Sequence, residues 1–206
     1  MALSSVLIAN RGEIAVRLIR ACHDEGLDAV AVYSDVDRDA PHVRLADKAI
    51  HIGPAEAAAS YLNGEALITA AQTTGADAIH PGYGFLAENA DFAQACIDAG
   101  LTFVGPKPTI IRQMGSKIAA KAAAEAAGIP VIPGYHVDGT TDAELTAAAG
   151  RIGTPLLIKA SAGGGGRGMR QIDDLKDFAD QLLLARQEAG TAFGDDAVLL
   201  ERYVPR

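Results

Sequence analysis

The sequence predicts an α/β protein in which a parallel β-sheet covered by helices is followed by a smaller α+β unit. Short apolar runs alternate with segments of helical periodicity through the first half of the chain. This alternation is typical of parallel strands joined by crossover helices. A stretch rich in proline and glycine, residues 128–134, follows that half. Beyond it, two strand-like runs flank a glycine-rich loop, which favours a hairpin.

Hydrophobic periodicity and the residues that end each run define the elements of the first half. Ile14, Leu18, Ile19 and Cys22 form one apolar face of a first helix, which Gly26 ends. Runs of alanine and β-branched residues mark the strands. We expect strands at 6–9, 29–33, 49–52, 76–79 and 101–104, and helices at 12–25, 61–73 and 90–99.

The second half begins with an alanine-rich stretch, residues 109–128, which predicts helix because alanine has the highest helix propensity. Gly115 is expected to divide it into two helices. Further helices are expected at 142–151 and 175–187, and strands at 156–159, 169–172 and 197–203. We therefore divide the chain into a parallel-sheet domain, 1–114, a helical linker, 115–134, and a small α+β unit, 135–206.

The most informative segment is an apolar strand that ends in Lys159 and is followed by a glycine-rich loop, residues 163–168. Each glycine costs roughly 0.5–1 kcal/mol against alanine in ordered structure. Backbone N–H groups without neighbouring Cβ atoms can surround a phosphate. A flexible surface hairpin is the alternative, but a lysine that ends an apolar strand needs a partner. The pattern therefore favours a lid over phosphates.

Two common glycine motifs do not describe this loop. The chain contains no Gly-x-x-x-x-Gly-Lys-Ser/Thr sequence, so a P-loop is excluded. Residues 163–168 fit a G-x-G-x-x-G pattern, but a dinucleotide-binding loop should open a helix. Here a strand-like run, Met169–Ile172, follows directly.

Composition and charge exclude several classes of function. The 206 residues include 49% hydrophobic residues and have a net charge of −8, which argues against nonspecific nucleic-acid binding. The sequence contains no run of about 18 apolar residues, so no membrane-spanning helix is predicted. The apolar N-terminus lacks a preceding basic region and predicts a first strand rather than a signal peptide. Cys22 and Cys96 form no Cys-x-x-Cys motif and suit a reducing cytoplasm.

Two predicted strand ends in the first half carry unusual residues. Residues 10–13 follow the first strand, and residues 80–89 follow the fourth. Ligands of parallel α/β sheets bind at the carboxyl ends of strands. Because the second segment is dense in glycine, proline and aromatic residues, it predicts a shaped loop, with Tyr83, Gly84 and Glu88 as candidate pocket residues.

Each of these polar residues also has a structural interpretation. His80 is a candidate general base, but a lone histidine at a strand end is more often hydrogen-bonded in a structural role. Glu88 and Asn89 can instead cap the following helix, since asparagine is a good N-cap. Asp195 and Asp196 suggest metal carboxylates, but adjacent acidic residues before a strand more often form a solvated turn.

Five motifs in register resemble the biotin carboxylase family. They are residues 8–15 (IANRGEIA), 80–89 (HPGYGFLAEN), 114–117 (MGSK), 158–169 (IKASAGGGGRGM) and 201–203 (ERY). The chain is similar along its whole length to the N-terminal part of the biotin carboxylase component of an acyl-CoA carboxylase α subunit. The resemblance implies a Rossmann-like domain followed by the small lid subdomain of a truncated ATP-grasp fold.

The family reaction implied by this resemblance has two steps. ATP phosphorylates bicarbonate to carboxyphosphate, and the CO₂ released from it carboxylates a ureido nitrogen of biotin. The resemblance assigns Lys117 and Lys159 to the ATP phosphates, places Tyr83, Gly84 and Glu88 towards bicarbonate and biotin, and sets 201–204 against adenine. The nucleotide-binding residues it implies are Lys117, Lys159, Gly164, Gly165, Gly166, Gly168, Met169, Glu201, Tyr203 and Val204.

The resemblance also implies cofactors and partners. These are ATP, Mg²⁺ or Mn²⁺, bicarbonate, biotin on a carrier domain, a carboxyltransferase β subunit, and a homo-oligomer or larger α–β assembly in fatty acid metabolism. The resemblance implies that the family's metal carboxylates and bicarbonate base lie beyond Arg206. We therefore expect neither a metal site nor a catalytic residue here, and we expect these 206 residues alone to be inactive in the full reaction. Another ATP-grasp ligase, such as a carbamoyl-phosphate synthetase, and a non-catalytic nucleotide-binding or docking fragment remain alternatives.

Overall fold

The computed structural model describes residues 3–162 and 169–205. The chain forms two compact units, Met1–Arg112 and Gln113–Arg206. The glycine loop 163–168, and with it the candidate residues Gly164, Gly165, Gly166 and Gly168, lies outside the described residues. The described helices include none with the length and apolarity needed to cross a membrane.

The first unit is built on a five-stranded parallel sheet with the strand order β3-β2-β1-β4-β5. This architecture confirms the predicted parallel sheet. Its elements are β1 (Ser5–Ile8), α1 (Gly12–Asp24), β2 (Asp28–Ser34), α2 (Pro41–Leu45), β3 (Lys48–Gly53), α3 (Gly64–Thr74), β4 (Ala78–His80), α4 (Ala90–Asp98) and β5 (Thr102–Phe103).

The central strands of this sheet are buried on both faces. Leu7 of β1 belongs to one apolar cluster, whereas its neighbours Val6 and Ile8 belong to another, because side chains alternate across a strand. Ile14 and Leu18 of α1 pack into the second cluster, as their helical spacing predicts. Such burial explains why the strands are short apolar runs rather than alternating ones.

Side-chain caps fix where helices of the first unit begin. Asn63 accepts a hydrogen bond from the Ala66 N–H and caps α3, which therefore begins at Gly64 rather than at residue 61. Asn89 accepts from the Phe92 N–H at 2.9 Å and caps α4. The capping interpretation of Asn89 is thereby confirmed.

The second unit contains a four-stranded antiparallel sheet with the order β6-β9-β7-β8. The elements from the unit boundary onward are α5 (Pro108–Gly115), α6 (Lys117–Ala126), β6 (Gly134–Tyr135), α7 (Asp142–Ile152), β7 (Leu156–Ala160), β8 (Met169–Ile172), α8 (Phe178–Phe193) and β9 (Val198–Arg202). The antiparallel pairing of β7 with β8 confirms the predicted hairpin strands. The core of this unit includes Ile158 and Leu200 from the sheet and Leu145 and Phe178 from the helices.

Several boundaries differ from the sequence expectation for local reasons. A single 3-10 turn occupies Leu175–Asp177, so α8 begins only at Phe178. It ends at Phe193, where Gly194 takes a left-handed conformation with φ 71°. The short elements α2 and β6 were not predicted. At Gly134 in β6, a Cβ atom would collide with the Leu200 carbonyl oxygen, which explains the glycine.

Candidate functional site

In the first unit, the carboxyl ends of β1 and β4 form the point at which the sheet order reverses. Strands β2 and β3 continue to one side of β1, and β4 and β5 to the other. Ile8 is paired with His80, and the Ala9 N–H donates to the His80 carbonyl at 2.9 Å. The segments 10–13 and 80–89 therefore leave the sheet side by side, where open α/β sheets bind ligands.

Asn10 holds the second of these segments in place. Its side-chain amide is 3% exposed and donates to the carbonyl oxygens of Pro81 and Tyr83, both at 2.8 Å. Gly82 lies between them with φ 66°, and a Cβ there would come within 3.1 Å of the Asn10 amide nitrogen. The close approach and the positive φ both require glycine at this turn.

Arg11 fixes the far side of the same loop. Its guanidinium lies over the rings of Tyr61 and Phe85, 5.2 Å and 5.8 Å from their centroids, and pairs with Asp37 at 3.2 Å. The two rings are stacked with centroids 5.2 Å apart. Phe85 has φ 39°, the left-handed region that non-glycine residues rarely adopt. These contacts hold a strained loop in one conformation.

Asp37 is the acceptor at the centre of this arrangement. It receives hydrogen bonds from the Tyr61 hydroxyl at 2.7 Å and the Ser34 hydroxyl at 2.9 Å, besides the Arg11 contact. Burial alone would raise the pKa of Asp37, but these hydrogen bonds outweigh it and keep the pKa below its usual value. Burial, with the bond to Asp37, raises the pKa of Tyr61 to about 12.

The candidate pocket residues lie on the exposed side of the loop. Tyr83 is 60% exposed, and its hydroxyl donates to the Glu13 carboxylate. Gly84 and Glu88 are also exposed on this loop. The structure thus brings Tyr83, Gly84 and Glu88 onto one solvent-facing turn, and their role towards substrate stays a prediction.

His80 is engaged within the turn. Its Nδ1 accepts a hydrogen bond from the Gly82 N–H at 3.0 Å. Burial, and then the nearby charge of Arg17, lower the pKa of His80. A neutral imidazole with Nδ1 as acceptor stabilises the turn, so the geometry supports the structural interpretation of this histidine.

In the second unit, the described part of the candidate nucleotide site is a cluster of lysines around Glu201. Lys159 on β7 and Lys121 on α6 pair with opposite oxygens of the Glu201 carboxylate, which lies on the neighbouring strand β9. The Lys121 contact measures 2.7 Å, and the Glu201 side chain is only 6% exposed. Burial opposes ionisation of Glu201, but the lysine hydrogen bonds keep its pKa below the usual value.

Lys117 lies at the first turn of α6, beside the end of β7. Its ammonium is 3.4 Å from the Ser161 carbonyl oxygen and 3.3 Å from that of Ala162. Ser116 caps the helix and lies 3.2 Å from the Ser161 hydroxyl. Burial, followed by the charge of Lys159, lowers the pKa of Lys117, and the charge of Glu201 partly offsets this.

The electrostatics of this cluster suit an anion. Three ammonium groups accompany one carboxylate, although the chain as a whole has a net charge of −8. The amino terminus of α6 adds the positive end of a helix dipole at Lys117. Helix amino termini and ammonium groups are both suited to binding phosphate. Lys117 and Lys159, both predicted from the sequence, are thus brought to one place.

Lys121 was not among the site residues predicted from the sequence. The signal was present, because Lys117 and Lys121 are four residues apart and lie on one face of a helix. Glu201 was expected to contact adenine, and here its side chain is turned to the lysines while its backbone pairs with Gly134 and Leu157. Its contact with adenine stays a prediction.

The remaining candidate residues surround the strand ends of this sheet. Met169 is paired with Lys159 across the hairpin and is 49% exposed. The Tyr203 N–H donates to the Pro155 carbonyl at 3.1 Å, and Val204 is 63% exposed. Their roles in binding nucleotide stay predictions.

Asp195 and Asp196 lie in a turn and accept hydrogen bonds from other groups of the protein. Asp195 accepts from the Ala197 N–H at 3.0 Å, and Arg186 donates to the Asp196 carbonyl at 3.2 Å. Among the described residues, no group of three histidine, cysteine, aspartate or glutamate side chains could hold a metal ion. The solvated-turn interpretation therefore fits this segment.

Comparisons with known proteins add independent findings. Residues 2–111 match the family model "Biotin carboxylase, N-terminal domain", and residues 116–206 match "Carbamoyl-phosphate synthase L chain, ATP binding domain". The chain is 51% identical over 204 residues to a mitochondrial methylcrotonoyl-CoA carboxylase subunit alpha of Arabidopsis thaliana, covering 99% of this chain and 28% of that protein. It is 52% identical over 203 residues to a biotin carboxylase of Pseudomonas aeruginosa, covering 98% and 45% respectively.

A solved structure agrees with these matches. The biotin carboxylase domain dimer of the Hydrogenobacter thermophilus 2-oxoglutarate carboxylase, in complex with MgADP, ADP and bicarbonate, superposes with a TM-score of 0.92 at 43% identity. The match covers 99% of this chain and 45% of that one. The chain therefore spans less than half the length of these relatives.

Proposed function

The chain belongs to the biotin carboxylase family, and we propose that it contributes the ATP phosphate site to an enzyme that carboxylates biotin with bicarbonate. The observation that carries the proposal is the cationic cluster of Lys117, Lys121 and Lys159 around Glu201 in the second unit. Lys117 and Lys159 suit the β- and γ-phosphates of ATP, because charge-assisted hydrogen bonds to phosphate are the strong ones.

In the proposed reaction, bicarbonate attacks the γ-phosphorus of ATP, and ADP leaves with the electrons of the broken bond. The resulting carboxyphosphate breaks down to CO₂ and phosphate. A ureido nitrogen of biotin transfers its proton to that phosphate and forms a bond to the CO₂. Phosphoryl transfer relies on positioning and charge neutralisation. Lys117 and Lys159 supply fixed positive charge at the phosphates.

We assign the acceptor side of the reaction to the β1–β4 edge of the first unit. Asn10 and Arg11 fix the loop that carries Tyr83, Gly84 and Glu88, so these groups are presented in one arrangement. A preorganised loop is suited to positioning bicarbonate or the biotin ring.

Mg²⁺ or Mn²⁺ belongs to the reaction, where it neutralises phosphate charge. The described residues offer no set of ligands for it.

The proposed partners are a biotin carrier domain, a carboxyltransferase β subunit, and further copies of the chain in a homo-oligomer or α–β assembly. The acyl-CoA substrate is chosen by the carboxyltransferase. We place the protein in the cytoplasm, in keeping with two buried cysteines in thiol form, Cys22 and Cys96.

The test is ATP hydrolysis with Mg²⁺ by a chimera in which residues 1–206 replace the matching segment of a bacterial biotin carboxylase, measured with and without bicarbonate and free biotin. The proposal predicts hydrolysis that requires bicarbonate and rises with biotin. The match of residues 116–206 to an ATP-binding domain of carbamoyl-phosphate synthase supports a second candidate, a ligase that uses an amine as acceptor. Stimulation by ammonium instead of biotin would favour that candidate. ATP binding without hydrolysis would favour a non-catalytic nucleotide-binding fragment.

A further inference from the structure

Lys121 belongs to the cationic cluster, but the proposed reaction gives it no contact with phosphate, although it is held by protein contacts as Lys159 is. Its ammonium lies 2.7 Å from Oε1 of Glu201 and 3.1 Å from the Ile132 carbonyl oxygen. Its side chain is 16% exposed, against 20% for that of Lys159. A long, charged side chain loses rotamer entropy when it is fixed in this way, and the loss must be offset by an interaction.

The carboxylate of Glu201 is shared between two cations. Oε2 pairs with Lys159 and Oε1 pairs with Lys121. A carboxylate with a single ammonium partner forms a neutral pair, in which the carboxylate neutralises the positive charge of that ammonium. A second ammonium on the other oxygen draws away part of the carboxylate's attraction and leaves positive charge at Lys159. The side chains of Glu201, Lys121 and Lys159 are only 6%, 16% and 20% exposed, so solvent screens their charges weakly and the effect of one charge on the next is strong.

We propose that Lys121 is a positioning residue that sets the affinity of the site for the polyphosphate of a nucleotide by engaging Glu201, which leaves the ammonium of Lys159 available to phosphate. The inference rests on the proposed function, from which it takes the phosphate ligand. Lys121 does not touch the nucleotide in this scheme. It acts through Glu201.

Helix geometry supports the division of roles between the lysines. Lys117 and Lys121 are one turn apart on the same face of α6. Lys117 contacts the Ser161 and Ala162 carbonyls at the start of the glycine loop, whereas Lys121 contacts Glu201 and the Ile132 carbonyl. The first lysine is therefore placed for direct phosphate contact and the second for control of the carboxylate.

The experiment compares the affinities of the purified protein for ATP, ADP and adenosine by isothermal titration calorimetry. In Lys121→Met we expect ATP binding to weaken about tenfold, which corresponds to about 1.4 kcal/mol. The affinity for ADP should fall by a smaller factor, and the affinity for adenosine should equal that of the unaltered protein. Lys121→Arg keeps the charge, and its affinity for ATP should stay within about twofold of that of the unaltered protein. Lys176→Met, which removes a lysine that is 88% exposed in the same unit, is the matched control and should change nothing.

The double variant Lys121→Met/Glu201→Gln tests whether Lys121 acts through Glu201. It has the same net charge at the cluster as the unaltered protein, and the carboxylate that would hold Lys159 is gone. We expect ATP affinity to recover to within about threefold of the unaltered protein. A double variant that stays as weak as Lys121→Met would show direct phosphate contact by Lys121 and would overturn the proposal.

Other outcomes separate this inference from the proposed function. If the unaltered protein binds ATP and Lys121→Met binds it equally well, the inference alone fails. An equal loss for ATP and adenosine, with a lower melting temperature, would show a purely structural role. If the unaltered protein binds no nucleotide, the proposed function fails and takes the inference with it. Should Lys121→Met not fold, Lys121→Gln keeps a hydrogen-bonding amide without the charge and decides the question.

Discussion

Removal of the Asn10 side chain should release the loop that carries the candidate acceptor site. In the folded protein its amide donates to the carbonyls of Pro81 and Tyr83 at 2.8 Å, and its oxygen accepts from the Arg11 N–H at 2.9 Å. Asn10→Ala deletes all three hydrogen bonds at a residue that is 3% exposed.

The expected cost follows from the burial of the groups left behind. A buried polar group that loses its partner costs about 1–3 kcal/mol. The Pro81 carbonyl is buried with Asn10, whereas the Tyr83 bond is only part-buried, so water can recover part of that contact. We therefore expect Asn10→Ala to lower the free energy of unfolding by about 2–4 kcal/mol.

The assay is equilibrium unfolding in urea, with Asn63→Ala as the matched control. Asn63 makes one exposed capping bond, to the Ala66 N–H, and its loss should cost about 1 kcal/mol. In a carboxylation assay, Asn10→Ala should raise KM for biotin or bicarbonate and leave ATP affinity unchanged. A loss of stability no greater than that of Asn63→Ala would refute the claim that Asn10 anchors the loop.

Two further predictions concern the lysine cluster and the response to pH. Lys159→Met should weaken ATP binding about 10- to 100-fold, since a charge-assisted hydrogen bond contributes about 1.5–3 kcal/mol, and leave adenosine binding unchanged in calorimetry. Unaltered ATP affinity would contradict the phosphate role. His42 is fully buried, and burial lowers its pKa, so the unfolded chain takes up a proton below about pH 6.5 before the folded protein does. The free energy of unfolding should therefore fall as pH is lowered through 6.5, and His42→Leu should flatten this profile without abolishing it, because His80 contributes in the same direction. An identical pH slope in His42→Leu would contradict this account.

Much of the fold was predictable because its signals are local. Apolar runs gave the strands, and the face formed by Ile14 and Leu18 gave α1. The element α2 was missed because five residues carry too little periodicity, and β6 because its two residues pair with a distant strand. Helix starts at Gly64 and Phe178 depended on capping and on a 3-10 turn, which hydrophobic patterns do not encode.

The candidate site was predictable to a lesser degree. Lys159 stood out because it ends an apolar strand, and Lys117 came from resemblance to a family. Lys121 and the bridging position of Glu201 were not found, because their contact joins a helix to a strand far away in the sequence. Asn10 and Arg11 were singled out as a motif, but their partners in the 80–89 loop and at Tyr61 became clear only from the packing of neighbouring strands.

The most direct test of the central claim is transfer of labelled carbon from bicarbonate to biotin. A chimera in which residues 1–206 replace the matching segment of a bacterial biotin carboxylase would supply the rest of the fold, and its Lys159→Met variant would serve as the control. We expect ATP-dependent labelling of biotin by the chimera and its loss in the variant. A folded chimera that binds ATP but transfers no label to biotin would contradict the account.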